Sequence, residues 1–287
     1  MKKVIITVLI FSFFSTSLFA ERQIHIIGST WGSTTHWING MSNELPSNAS
    51  YYSASGISIY GSNIYIIGKE GDNTGYWLNG RFIVLKESDS YYDGTSANDI
   101  AISGNDVYVV GEDDENAVYW LNGRHILLPK SSNNVRAVAL KIVISSSNVY
   151  IVGVEIRTEQ NTTIMDAVYW LNGRRFVLPK SNNNVSTEAS GIAISGSNVY
   201  IVGSDGNNAV YWLNEKQFTL RRVDKPVAKA TGIAISGNDI YFIGIEYNPD
   251  EPFEFSRGNA IYWLNSNPHI WRGFPGYMYL SRIAITE

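Results

Sequence analysis

Gly191-Ile-Ala-Ile-Ser-Gly-Ser-Asn-Val-Tyr-Ile-Val-Gly203, followed after a short polar gap by Ala209-Val-Tyr-Trp-Leu-Asn214, decides the fold. Ile192 and Ile194 alternate with Ala193 and Ser195, and Val199 and Ile201 alternate with Tyr200 and Val202. Period two is the signature of a strand, and β-branched and aromatic residues favour one. Gly196-Ser-Asn198 between the two runs supplies turn chemistry. The same unit recurs along the chain, with Asn122-Gly123 and Asn172-Gly173 marking a later hairpin turn that needs positive φ at both central positions. Each unit therefore reads as four short antiparallel strands.

A tryptophan keeps the register at Trp37, Trp77, Trp120, Trp170, Trp212 and Trp263. The spacings are 40, 43, 50, 42 and 51 residues, the repeat length of propeller blades. Working outward to the ends, Ile24-His-Ile-Ile-Gly28 matches the second strand of the unit and has no first strand ahead of it. Ser281-Arg-Ile-Ala-Ile285 matches that first strand. The expectation is an all-β, six-bladed β-propeller with four antiparallel strands per blade. Its ring is closed by the C-terminal strand (281–285), which completes the N-terminal blade and removes an exposed edge. The blades are then 281–285 with 24–48, 55–86, 99–130, 138–180, 191–222 and 232–272. Small residues such as Gly56, Ala101 and Gly191 on one face of the first strand suit convergence of neighbouring sheets, which places that strand innermost.

Lys2 and Lys3, the apolar run Val4 to Phe14 and the small polar stretch to Ala20 have the order of a secretory signal. Residues 1–20 are expected to be removed, leaving 21–287 as a single domain, periplasmic or secreted. No later run is long enough for a membrane span. Cleavage would remove two lysines and no acid, taking the net charge from −4 to −6. Concentrated basic charge for nucleic acid is missing. The chain has no cysteine, so disulfides and thiol chemistry are excluded.

Tight turns fall on one face of such a disc. The longer second-to-third-strand loops and the connections between blades fall on the other, and a rigid frame with variable loops is a common binding arrangement. The candidate ligand-binding residues are Trp31, in the loop after Gly28, and Asn98, Arg136, Glu188, Lys229 and Arg282, just ahead of first strands. The recurrent Tyr-Trp pairs read as wedge packing between blades. Glu112-Asp-Asp-Glu-Asn116 and Asp205-Gly-Asn-Asn208 carry oxygen ligands of the kind calcium takes, without EF-hand spacing. His25, His36, His125 and His269 form no spaced metal motif. No catalytic residue, resident metal or cofactor is assigned.

With these repeats, residues 22–286 resemble β-propeller repeat proteins in the broad sense of the WD40 and kelch classes. The Gly-His and Trp-Asp pairs of the first and the double glycine of the second are missing. The Val-Tyr-Trp-Leu-Asn-Gly-Arg unit is similar to that of exported bacterial repeat proteins. The functional expectation is a non-catalytic exported binding or scaffold propeller, a monomer that recognises a protein or polysaccharide through its variable-loop face. A lectin-like carbohydrate-binding propeller and a glycan-active enzyme at the central funnel remain alternatives.

Overall fold

The computed structural model describes residues 5–9, 25–30, 33–39, 41–45, 52–90, 93–159, 161–250 and 258–271. They form six four-stranded antiparallel sheets, consistent with propeller blades, each built from strands consecutive in sequence. The first strands are Ile5–Leu9, Tyr52–Tyr60, Ser96–Ser103, Arg136–Ser145, Thr187–Ser195 and Val227–Ser236. The fourth are Met41–Glu44, Arg81–Lys86, Arg124–Leu127, Arg174–Val177, Lys216–Thr219 and Asn267–Trp271. Neighbouring sheets meet through their first strands.

The ring expected from the sequence is corrected here. No sheet closes into a ring or barrel; each is an open four-stranded sheet. The place assigned to residues 281–285 in sheet one is held by Ile5–Leu9, which pairs antiparallel with His25–Thr30 from Ile5↔Ser29 to Leu9↔His25. Ile-Ile-Thr-Val-Leu is as rich in β-branched residues as the strand it was expected to lack, so it satisfies the same pairing. Residues 281–285 lie outside the described residues.

Two devices in the repeat set the strand geometry. In sheets two to six the first strand bulges at Ser55, Asn98, Leu140, Ser190 and Thr231, where its register against the second strand shifts by one residue. The bulge drives a carbonyl onto the second strand at Gly68, Gly111, Gly153, Gly203 and Gly244; a Cβ at any of these would stand 1.7–2.0 Å from that oxygen. The second device is the asparagine of the third-to-fourth-strand turn. Asn79, Asn122, Asn172, Asn214 and Asn265 have φ of 48–52°. Each accepts a backbone N–H of the neighbouring second strand at 2.9 Å, from Ile64, Val107, Val149, Val199 and Ile240 respectively. The two tight turns of each sheet are thus clipped together on one side, as the alternation of strand direction requires.

The core lies between sheets. Trp77, Trp120, Trp170, Trp212 and Trp263 are fully buried. Trp170 packs with Val110, Ala117 and Leu128 of the preceding sheet, and Trp212 with Val152, Ala167 and Leu178. Three indoles also donate backwards, Trp170 to Pro129 O at 2.8 Å, Trp212 to Pro179 O at 2.7 Å and Trp263 to Arg221 O at 2.7 Å. A large ring with one satisfied polar atom fills the gap between diverging sheets.

A charged cleft beside sheet four

An acid stands two residues after the second-strand glycine in five sheets: Glu70, Asp113, Glu155, Asp205 and Glu246. At the end of that strand the side chain meets the segment arriving from the preceding sheet. Glu246 accepts the N–H groups of Val223, Asp224 and Lys225 at 2.6, 3.1 and 3.4 Å. Asp205 accepts Ser181 N at 2.8 Å and Gln217 Nε2 at 2.8 Å. Asp113 meets Thr95 Oγ1 at 3.0 Å and His125 Nε2 at 2.9 Å. Buried carboxylates need such donors, and here they latch each connection to its sheet.

Sheet four departs from this pattern. Its second and third strands, Asn148–Glu159 and Thr162–Leu171, stay paired to Glu159↔Thr162. In sheets two, three and five the equivalent hairpin ends at Glu70↔Asn73, Asp113↔Asn116 and Asp205↔Asn208, the register of Glu155↔Asp166. Four further residue pairs project, about 13 Å at the rise of a strand. The second-to-third-strand connection of this sheet, Glu155 to Asp166, is therefore mostly strand. Its base rests on the connection to sheet five, with Met165 N donating to Ser186 Oγ at 3.1 Å and Ile164 buried.

The projecting strands wall a cleft of about 290 Å³ lined by Ser131, Val135, Glu155, Arg157, Asp166, Arg175, Val177, Lys180 and Asn183. Glu155 is buried and takes Arg175 in a two-point pair, Nε to Oε1 at 2.6 Å and Nη2 to Oε2 at 2.7 Å, while Ser131 N donates at 2.9 Å. Asp166 joins Lys180 Nζ at 2.6 Å and Arg157 Nη1. Arg157 Nε also reaches the exposed Glu159 at 2.8 Å. The wall carries three cations against two anions. Burial and the charge of Arg157 push the Lys180 ammonium below its usual range, against the pull of Asp205 and Glu159. With Glu159 counted, the charges around the cleft balance, three cations against three anions.

The residues singled out in the sequence do not converge. Trp31 and Arg282 lie outside the described residues. Asn98 is the bulged residue of its strand and donates Nδ2 to Ala139 O of the next sheet at 2.9 Å, as Ser55 Oγ does to Ala97 O at 2.6 Å. Arg136 pairs with Glu112, one contact being Nη2 to Oε2 at 2.7 Å. Glu188 and Lys229 occupy equivalent register positions, opposite Ser204 and Ile245. No ion pair joins them among the described residues. The register just past the bulge holds Gly56, Asp99, Lys141, Gly191 and Gly232. Asp99 accepts Ile142 N from the adjacent sheet at 3.0 Å, and burial lowers the Lys141 ammonium to about 8.

The acidic turns weighed for calcium are occupied internally. Glu112 serves Arg136, Asp205 serves the Ser181 latch, and Asn116 Nδ2 closes on Asp114 O at 2.8 Å. No group of three or more His, Asp or Glu suited to a metal occurs among the described residues. In sheet one the usual tyrosine pair, Tyr65 with Tyr76 in sheet two, is replaced by His25 and His36, whose Nδ1 and Nε2 stand 3.0 Å apart. No helix among the described residues is long and apolar enough to cross a membrane.

No protein-family model matches the chain, and no curated protein matches it. Several solved structures share its repeated all-β architecture at low identity. A chain of a nidogen/laminin complex aligns over 82% of this chain and 95% of its own, with 12% identity and a TM-score of 0.46. The extracellular domain of the putative hybrid two-component system BT4673 from B. thetaiotaomicron aligns over 88% of this chain but 34% of its own, with 9% identity and a TM-score of 0.49. A thermostable family-43 glycoside hydrolase aligns over 83% and 98%, with 10% identity and a TM-score of 0.46. The six four-stranded antiparallel sheets themselves define the class, a propeller-like repeat all-β fold.

Proposed function

We propose that the chain is an exported, non-catalytic binding or scaffold protein. It engages a protein or polymer on the side of the sheets that carries the inter-sheet connections. The supporting observation is the projecting hairpin of sheet four with its charged cleft, a place where this regular repeat breaks its own pattern on that side. The cleft carboxylates have their oxygens taken by guanidinium, ammonium and backbone donors, an arrangement suited to fixing a recognition surface. The recurrent Tyr-Trp tryptophans are buried between sheets, so those rings offer no stacking platform for a sugar.

The test is a broad glycan array, run with and without calcium, together with cross-linking to candidate envelope proteins, on the full-length protein. A second sample has residues 156–165 replaced by an Asn-Gly turn, which restores the hairpin length of the other sheets. Selective binding by the intact protein that the trimmed variant loses at unchanged melting temperature is expected. Identical profiles for the two would overturn the reading.

A further inference from the structure

We infer that the cleft beside sheet four is a binding site for a compact oxyanion, a carboxylate or phosphate group, held between Arg157 and Arg175. The inference rests on the binding role proposed above and adds the chemistry of what is bound. Both guanidinium groups line the cleft, and both are only partly committed. Arg175 uses Nε and Nη2 on Glu155, and Arg157 uses Nε on Glu159 and Nη1 on Asp166. Among the described residues, Arg175 Nη1 and Arg157 Nη2 have no acceptor. Guanidinium donors of this kind suit planar oxyanions, and a low-dielectric wall strengthens the contact.

The surroundings suit the same guest. Lys180, with a side chain 12% exposed, adds a third cation to the wall. Ser131 and Asn183 supply a polar rim, while Val135 and Val177 supply an apolar strip. The cleft volume suits a single sugar-sized or phosphate-sized group rather than an extended chain. Arg175 is already braced by the buried Glu155, so its free edge is fixed before any ligand arrives, which reduces the ordering cost of binding.

The test is isothermal titration of the intact protein at low salt with three probes: glucuronate, inorganic phosphate and glucose. Binding of glucuronate or phosphate, with glucose inert, is expected, and the acid that binds identifies the source of the oxyanion. Arg157→Gln leaves the Arg175–Glu155 pair in place and should weaken that binding at least about tenfold at an unchanged melting temperature. Lys180→Gln serves as a second variant if the first does not fold. No binding of either acid, equal binding of glucose, or affinity indifferent to both substitutions would overturn the inference. Anion binding does not depend on finding the macromolecular partner. A failed titration with hairpin-dependent array binding would sink the oxyanion site alone, and the reverse pattern would sink the partner reading alone.

Discussion

Gly203→Ala probes the bulge that recurs through five sheets. An added Cβ at this position would stand 1.7 Å from Glu188 O, with Ala189 Cα at 3.2 Å behind it. An ordinary carbon–oxygen contact is about 3.3 Å, so the two strands must separate by roughly 1.5 Å. The obstacle is backbone on a paired strand, so no rotamer change can clear it. Separation on that scale disrupts the Glu188↔Ser204 and Ala189↔Gly203 pairs. Two weakened hydrogen bonds at about 1 kcal/mol each, added to overpacking of about 1–3 kcal/mol, give a loss of about 3–5 kcal/mol. The control is Gly196→Ala, at φ +58° with no atom within 4 Å, where only the left-handed backbone opposes a side chain and the cost is about 1 kcal/mol. Urea unfolding followed by tryptophan fluorescence measures both, since five indoles are buried between sheets. If Gly203→Ala costs no more than Gly196→Ala, close approach is not the reason for the glycine.

Three further outcomes are expected. Ser266 occupies the turn position held by glycine in sheets two to four, at φ +70°, and Ser266→Gly should stabilise by about 1 kcal/mol, raising the melting temperature by roughly 2–4 °C in calorimetry. Glu246→Ala strips the acceptor from three backbone N–H groups and should cost about 2–4 kcal/mol, with faster amide exchange confined first to Val223, Asp224 and Lys225. Burial, then the neighbouring His25, lowers the His36 pKa from 6.5 to about 4, so the folded form resists a proton that the unfolded chain accepts. Stability from this pair is therefore complete above pH 6.5 and drains as pH falls towards 4, by about 2 kcal/mol after allowing for partial solvent access; the double variant His25→Tyr, His36→Tyr should flatten a urea-midpoint profile over that window.

Most of the strand pattern is written in short-range chemistry. Alternation at Ile192–Ser195 and Val199–Val202 fixes two strands, and Asn172-Gly173 fixes a turn that the structure forms with φ of 51° and 80°. The tryptophan wedge follows from ring size and repeat spacing. Closure was not legible in the same way, because Ile5–Leu9 and residues 281–285 carry interchangeable strand chemistry and the pattern alone does not rank two strands competing for one edge. The cleft left a trace that went unread. The 50-residue interval from Trp120 to Trp170 marks an insertion, but Ile156–Met165 looked like loop because its polar residues mask the pairing. An acid two residues past each second-strand glycine was visible throughout, yet its role depends on donors 12 to 24 positions away.

Those equivalent acids explain why one sheet acquired a cleft. In sheet six the carboxylate is satisfied by backbone N–H groups, and in sheet five by Ser181 and the neutral Gln217, so neither needs a cation. Sheet four places Arg175 at the register of Gln217 and His125, opposite Trp170, and the carboxylate then holds a guanidinium with one edge to spare. Extending the hairpin adds Arg157 on one strand, directly across from Ile164, and sets Asp166 where the shorter hairpins have asparagine. Lys180 exists in the repeat already, in the same place as Lys130 ahead of the serine-asparagine connection. Two substitutions and four added pairs thus convert a structural latch into a walled, charged cleft without altering the sheet beneath it. Function in this fold is to be sought where the repeat is broken, and Arg157 is the residue at which that claim meets experiment.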